Sequence, residues 1–148
     1  MEFTGATIDP GIHTAYAKWE NGKLSDLFTI NLKGENDVEY IESLNNRFPR
    51  DWMPVVVIED VRLFTGSAKS MASGARGNLI TLSKIVGAIA FICSSLRMQV
   101  EFVNPQTWKG QLNYKQLRRI LKVKYGFTAK NDHEASAYGM GLWKMGKF

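Results

Sequence analysis

The stretch PVVVIED, residues 54–60, decides the fold. Four apolar residues follow one another from Val55 to Ile58, and the acidic Glu59 ends the run. A run without alternation is typical of a strand buried on both faces, as in the centre of a parallel sheet. Glu59 therefore lies at the carboxyl end of a buried strand, where a charge is costly unless it faces a binding site or water.

The residues before this strand predict a meander of three strands. We expect strands over residues 3–8, 12–19 and 24–32, because each stretch is rich in apolar and β-branched residues. The first ends at the turn signal Asp9-Pro10-Gly11, and Asn21-Gly22 predicts a tight hairpin between the other two.

The residues on either side of the buried strand predict helices and one more strand. Asp37 is the expected N-cap of a helix. Further helices are predicted over residues 78–96, near 114–125 and near 132–144, and a strand over 99–103. This order predicts one α/β domain over residues 1–148. Its mixed five-stranded sheet combines a three-strand antiparallel meander with two parallel strands and is flanked by helices.

Two acidic residues come at the ends of predicted strands. Asp9 follows the first strand and Glu59 follows the buried one. If these strands are neighbours, the two carboxylates meet at one edge of the sheet, where sites of open α/β sheets form. Two carboxylates this close need a counter-charge, which a divalent cation usually supplies. Asp9 taken alone is equally compatible with a simple turn.

The charge is divided unequally along the chain. The net charge is +5, but residues 1–59 hold 5 Lys and Arg against 10 Asp and Glu, a net charge of −5. Residues 60–148 hold 14 against 4, a net charge of +10. This asymmetry favours a polyanionic partner for the second part, against the simpler interpretation of a solvated basic helix face.

The predicted helix near 114–125 carries much of this charge. Leu117, Ile120 and Leu121 are expected to face inward. The outward positions hold five cations and no acid, as phosphate-backbone binding requires. They are Lys115, Arg118, Arg119, Lys122 and Lys124.

The segment between Glu59 and the long helix adds four candidate DNA-binding residues: Arg62, Phe64, Lys69 and Arg76. Phe64 is a candidate wedge against unstacked bases, although a core position would suit it equally.

The helix over residues 78–96 is apolar on nearly all sides, which indicates a central core position or a partner. The single cysteine, Cys93, lies within it, is expected to be buried, and weakly favours a reducing compartment. No secretory signal or membrane span is evident, so we expect a cytoplasmic protein that does not enter a membrane.

Five motifs in order resemble the RuvC-type Holliday junction resolvases, and their details resemble the phage-encoded branch. They are GATIDPG (5–11), VIE (57–59), GARG (74–77), NPQTWK (104–109) with Lys115, and ASAYGMG (135–141).

This resemblance implies a ribonuclease H-like fold and a homodimer formed through the long helix. It implies cleavage of four-way (Holliday) DNA junctions by two metal ions, Mg²⁺ or Mn²⁺. Asp9 would then bridge the metals, Glu59 would bind one of them, and Lys109 and Lys115 would lie near the scissile phosphate.

The last helix departs from the family pattern. The family has acidic residues where this chain has His133 and Ser136. At about 100° per residue, Asp132 lies about 40° and His133 about 60° from Ser136, whereas Glu134 lies about 200° away. We therefore expect Asp132 and His133, but not Glu134, to complete the metal site. Three explanations remain open: Asp132 supplies the charge, Ser136 holds a metal-bound water, or the chain binds DNA without cutting it.

Three other functions compete with junction resolution. One is a catalytically weak or inactive junction-binding protein of the same fold. Another is a related nuclease acting on flaps, forks or RNA–DNA hybrids, since backbone contacts and two-metal chemistry serve all of these. An actin-like phosphotransferase would need a second glycine-rich loop and about twice this length, and the sequence has neither.

Overall fold

A five-stranded mixed sheet lies at the centre of the molecule. The computed structural model describes residues 2–60 and 78–148. Within them the strands are β1 (Gly5–Asp9), β2 (His13–Glu20), β3 (Lys23–Asn31), β4 (Val55–Glu59) and β5 (Gln99–Val103). Their order across the sheet is β3-β2-β1-β4-β5. The first three strands pair antiparallel, while β1–β4 and β4–β5 pair parallel. The predicted fold class is confirmed.

Five helices flank this sheet in the described part of the chain. They are α1 (Asp37–Arg47), α2 (Asn78–Ser95), α3 (Pro105–Lys109), α4 (Tyr114–Tyr125) and α5 (Asp132–Lys144). The short helix α3 was not predicted. Asp37 is not the N-cap of α1. Asn36 has that role, because its extended backbone lets its side chain accept a hydrogen bond from Glu39 N.

The strand limits differ from the predicted ones in a way that matters for the site. Asp9 belongs to β1 and pairs with Ala15 of β2 instead of opening the turn. Glu59 belongs to β4 and pairs with Val103. Both acidic residues are therefore held by sheet hydrogen bonds rather than by a loop.

The core has two parts, one on each face of the sheet. On one face, α1 and α2 cover alternate strand residues, with Ile8, Ile58 and Ile89 at the centre. On the other face, α3, α4 and α5 cover Val57 and Trp19. Since neighbouring residues of β4 belong to different clusters, this strand is buried on both faces, as its sequence predicts.

Several smaller predictions were also tested. Asn21 and Gly22 both have positive φ, 51° and 77°, which confirms the tight hairpin turn. Cys93 is buried and unpaired. Leu117 and Leu121 face the core, but Ile120 is only half-buried because it lies at the border of the packed face. None of the described helices combines the length and apolar character that a membrane crossing requires.

Candidate functional site

Asp9 and Glu59 lie side by side at the carboxyl edge of the sheet. β1 and β4 are parallel neighbours, and Ile8 pairs with Ile58. The next residue on each strand, Asp9 and Glu59, therefore lies at the same level of the sheet. Both are buried, with 5% and 4% of their surface exposed. Burial, reinforced by the charge of Asp9, raises the pKa of Glu59 from 4.5 to about 7. Burial also raises the pKa of Asp9.

His133 completes a triad of titratable groups. It lies in the first turn of α5, and its Nδ1 is 3.2 Å from Asp9 Oδ2. The hydroxyl of Thr7 on β1 holds α5 in place by donating to the carbonyl of Ala137 at 2.6 Å. The hydrogen bond to Asp9 raises the pKa of His133, while partial burial opposes that rise. The imidazole is thus a direct polar partner of the buried Asp9 carboxylate.

Trp108 fixes the other carboxylate, a role that we did not predict. Its indole Nε1–H donates to Glu59 Oε2 at 2.7 Å, and both side chains are buried. The indole is seated against Gly139 of α5, where an added Cβ would lie 2.7 Å from the ring. Within the motif NPQTWK, Trp108 is the one large aromatic side chain among mostly polar residues, and this signal could have identified it as buried.

Lys109 and Tyr114 lie on the open side of the pair. The ammonium of Lys109 is 4.1 Å from the ring centroid of Tyr114, and its charge lowers the pKa of both Asp9 and Glu59. The pKa of Tyr114 is raised to about 12, first by burial and then by the two carboxylates. Sequence reasoning missed Tyr114 because aromatic residues at helix starts carry no distinctive pattern.

Ser136 lies beneath the carboxylates with an unsatisfied hydroxyl. The residue is fully buried, and within the described residues its Oγ has no partner in ordinary hydrogen-bond geometry. It is nevertheless close enough to Asp9 to lower the pKa of that carboxyl. A buried hydroxyl without a good partner is costly, and a further polar group beside Ser136 would lower that cost.

The other residues of the predicted site lie apart from this cluster. The carboxylate of Asp132 pairs with Arg118 at 3.3 Å, and Arg118 also donates to the carbonyl of Ala129. Lys115 is exposed on α4. Glu134 is buried and accepts a hydrogen bond from Lys130 N. The structure thus brings Asp9, Glu59, His133 and Lys109 together, and places Asp132 and Lys115 on the neighbouring basic surface.

The donor set fits a divalent cation, although no ready-made cage is present. Within residues 2–60 and 78–148, no three His, Cys, Asp or Glu side chains meet closely enough to form a complete metal site. Two buried carboxylates that repel each other, a neighbouring imidazole and the unsatisfied Ser136 hydroxyl are nevertheless groups that a cation would stabilise.

A basic surface lies next to the first turn of α5, which carries His133. Arg118, Arg119 and Lys122 of α4 line a concave region of about 310 Å³ together with Thr128 and Ala129. The ion pair of Arg118 with Asp132 connects this region to the first turn of α5. The predicted DNA-binding residues Arg62, Phe64, Lys69 and Arg76 lie outside the described residues.

Comparison with known proteins establishes the fold. The sequence matches no protein-family model and no curated protein sequence. The structure is similar to Thermus thermophilus RuvC in complex with a Holliday junction substrate, with a TM-score of 0.62 and 17% identity over 96% of this chain and 95% of that one. It is also similar to a second Thermus thermophilus RuvC structure, with a TM-score of 0.60 and 16% identity over 93% and 90% of the two chains. The fold is ribonuclease H-like, as expected.

Proposed function

We propose that this chain is a structure-selective endonuclease that binds branched DNA, in particular four-way junctions, and hydrolyses a phosphodiester with divalent cations. One observation carries the proposal: two buried, mutually repelling carboxylates, Asp9 and Glu59, lie beside a basic surface on α4. Buried carboxylates are costly unless they are paired, hydrogen-bonded or bound to a cation, and a basic surface attracts the negatively charged DNA backbone.

Asp9, Glu59 and His133 are the proposed first ligands of the cation. Mg²⁺ suits the carboxylates, and Mn²⁺ suits a set that includes imidazole. The resemblance to RuvC-type resolvases implies two ions. When bound, divalent cations activate a water molecule and stabilise the leaving oxygen of the cut phosphodiester.

The surrounding side chains orient the ligands. Trp108 directs one oxygen of Glu59, because a buried indole N–H at 2.7 Å leaves the other oxygen as the free acceptor. His133 holds Asp9 in the same way. Lys109 offsets part of the negative charge of the carboxylates and is proposed to contact the phosphate that is cut. Lys115 is proposed to contact the same phosphate from the start of α4.

Asp132 is proposed to join the ligands only when DNA is bound. In the structure its carboxylate is paired with Arg118, and the two side chains are 47% and 43% exposed. An exposed ion pair is weak, about 0.2–1 kcal/mol, so a DNA phosphate can take over Arg118 and release Asp132. The carboxylate would then strengthen the cation site at the moment the substrate arrives.

The DNA interface is proposed to follow the outward side of α4. Lys115, Arg118, Arg119 and Lys122 would contact phosphates, which requires positive charge but no base contacts. Arg62, Phe64, Lys69 and Arg76 are proposed to contact the crossover. One of the two similar RuvC structures contains a Holliday junction substrate. By analogy we propose the same class of DNA for this chain.

A homodimer is proposed through α2. Phe91 and Ile80 of this helix are 74% and 54% exposed, which is unusual for large apolar side chains on one helix face. A two-fold dimer would cover them and match the approximate two-fold symmetry of a four-way junction. Phe91→Glu should convert the dimer to a monomer in sedimentation experiments, and an unchanged sedimentation coefficient would place the interface elsewhere.

The second candidate function is a junction-binding protein that does not cut. The serine at position 136 and the lack of a complete three-ligand cage in the described residues favour it. Activity on flaps or forks differs only in the branch geometry recognised, so it is tested with the same cleavage assay on those substrates.

The proposal is tested by neutralising each carboxylate in turn. Asp9→Asn and Glu59→Gln should each reduce junction cleavage at least about 100-fold, because each removes a metal ligand. Junction affinity should stay equal or increase, since a negative charge near phosphate is lost. Asp26→Asn, an exposed position on β3, is the matched control and should leave both unchanged. Normal cleavage by either site variant would remove that residue from the site.

A further inference from the structure

A second cavity, of about 400 Å³, opens beside the carboxylate site and has no role in the proposed chemistry. It lies between the β1–β2 turn, the start of α1, the first half of α2 and His133. His133 borders the cavity and also contacts Asp9. Any group in this cavity is therefore only one side chain away from the proposed cleavage site.

The size and walls of the cavity suit one planar ring system. Its volume of about 400 Å³ is near the lower end of small-molecule sites and is large enough for one nucleobase. Two imidazole rings border it, His13 and His133, with centroids 5.6 Å apart. Ile12 and Leu82 add apolar surface. Flat, partly apolar walls with aromatic rings are the surfaces on which unstacked nucleobases are bound.

The charged groups at the cavity disfavour a phosphate. Among the described residues that line it, none is Lys or Arg, whereas Glu35 and Asp37 are acidic. Asp37 is already bonded to Thr81 and Lys84. Glu35 is exposed, and its side chain can accept hydrogen bonds from a ligand. The lining thus combines stacking surface with an acceptor, which fits an uncharged group that donates hydrogen bonds.

We propose that this cavity binds one unpaired nucleobase adjacent to the cleaved phosphodiester, with the base's donor edge on Glu35. The inference rests on the proposed nuclease function and deepens it by giving the site base selectivity. A carboxylate accepts two adjacent N–H groups best, and guanine carries such a pair on its pairing edge. Guanine is therefore favoured, and thymine, with a single N–H donor, is disfavoured.

Binding of the base is measured independently of cleavage. Four-way junctions carry 6-methylisoxanthopterin, a fluorescent guanine analogue that keeps the same N–H donor edge, one position at a time in the nucleotides around the crossover, and are bound with divalent cation omitted. An unstacked base at one position should change its fluorescence on binding to the wild-type protein. Leu82→Trp fills the cavity and should abolish that change while leaving junction affinity intact. Binding without any fluorescence change at these positions would overturn the inference and leave the proposed nuclease untouched.

Base selectivity is measured by cleavage with Mg²⁺ or Mn²⁺. Wild-type protein should cut junctions with guanine beside the cleavage site about tenfold faster than those with thymine, near the low end of discrimination by a bidentate contact. Glu35→Gln should bring the ratio close to one without slowing the thymine substrate. Glu42→Gln, an exposed position on α1 that does not line the cavity, should keep the wild-type ratio. An unchanged ratio in Glu35→Gln would overturn the inference. If the wild-type protein cuts neither junction, the proposed nuclease function is contradicted instead.

Discussion

At the scale of single residues, the protonation of Glu59 links the site to the stability of the fold. Its pKa is about 7 in the folded chain and 4.5 as the ordinary value. The folded state therefore holds more protons than the unfolded state between these values, and the free energy of unfolding falls as pH rises through this window. His133 acts in the same direction, because its raised pKa stabilises the fold at low pH and that contribution is lost as pH rises.

The first prediction follows from this linkage. Without divalent cations, the melting temperature should fall as pH rises from 4.5 to about 7. Glu59→Gln should flatten this dependence and raise the melting temperature at the upper end, since an amide carries no buried charge. Calorimetry in a chelating buffer measures both. Parallel pH profiles for the two proteins would show that Glu59 titrates normally.

The second prediction concerns Ser136, the position at which this chain departs from the family pattern. Ser136→Asp adds a third buried carboxylate beside Asp9. Without cations it should reduce stability by about 3 kcal/mol or more, because the charge has no partner. Saturating Mg²⁺ or Mn²⁺ should restore most of the loss. Ser136→Asn introduces a side chain of nearly the same size as aspartate but without its charge. The stability of this variant should not respond to cations in this way.

Cleavage by Ser136→Asp separates the explanations for the serine. If Asp132 supplies the missing charge, Asp132→Ala should remove activity by orders of magnitude, and Ser136→Asp should add little. His133→Ala should reduce cleavage less and shift the metal preference. Glu134→Ala should leave cleavage nearly unchanged. A Ser136→Asp variant that cuts junctions while the wild type does not would mean that this chain is a binding protein.

The sequence predicted some of these residues and not others. Asp9 and Glu59 could be predicted because strand ends of a parallel sheet converge. Helical periodicity placed His133 near Ser136, and the structure adds its contact with Asp9. Trp108 reaches Glu59 across 49 residues of sequence, and no local pattern encodes such a contact. The pairing of Asp132 with Arg118 likewise depends on how α4 and α5 are placed relative to each other.

At the scale of elements, the fit of α5 against the sheet depends on its glycines. A Cβ at Gly139 would lie 2.7 Å from Trp108, and one at Gly141 would overlap the indole of Trp19. Both tryptophans therefore occupy space that a larger residue on α5 would take. Because Trp108 donates to Glu59, the packing of this helix also sets the geometry of the site.

The third prediction tests this connection. Gly139→Ala should cost about 1–3 kcal/mol by overpacking, and should weaken Mn²⁺ binding by displacing the Trp108 indole from Glu59. Gly87→Ala is the matched control, because nothing lies within 4 Å of its added Cβ. Gly87 lies on the same side of α2 as Ile80 and Phe91, the proposed dimer face, so this control is scored on Mn²⁺ affinity, which should not change. Equal effects of the two substitutions on Mn²⁺ affinity would show that the packing of α5 does not set the geometry of the site.

The fourth prediction concerns the cations of α4. Junction affinity should fall steeply with salt concentration, and Lys122→Ala should reduce the log–log slope by about 0.9, the value for one phosphate contact. Lys23→Ala serves as control. It lies next to the β2–β3 turn, which contacts the start of β1 at the opposite end of the sheet from Asp9. An unchanged slope for Lys122→Ala would exclude this residue from the interface.

Most elements could be predicted, and the exceptions have physical reasons. The strands and the four longer helices carry apolar patterns long enough to identify, including the continuous run of β4 and the nearly continuous apolar sequence of α2. The five-residue helix α3 is too short to show one. Asn36 and Asp37 are both good capping residues, and only the backbone conformation decides between them. Pairing of Asp37 with Lys84 of α2 is a tertiary contact that favours its place inside the helix.

At the scale of the whole molecule, the order of the strands explains why the residues of the candidate site lie at one edge of the sheet. Because β1 and β4 are adjacent and parallel, their carboxyl ends deliver Asp9 and Glu59 together. The helices that follow β5 bring Trp108, Lys109 and the basic side of α4 to the same edge. In the proposed function, the acidic first part of the chain would supply ligands for a cation, and the basic second part would supply a surface for a polyanionic substrate.

Cleavage of a synthetic four-way junction by the wild-type chain tests the central claim most directly. With Mg²⁺ or Mn²⁺ we expect nicks near the crossover in opposing strands, none in a chelating buffer, and none in a linear duplex of the same sequence. The Asp9→Asn variant under the same conditions controls for a contaminating nuclease. Tight binding of the junction without nicks in either metal would contradict the proposed nuclease activity and leave a junction-binding protein.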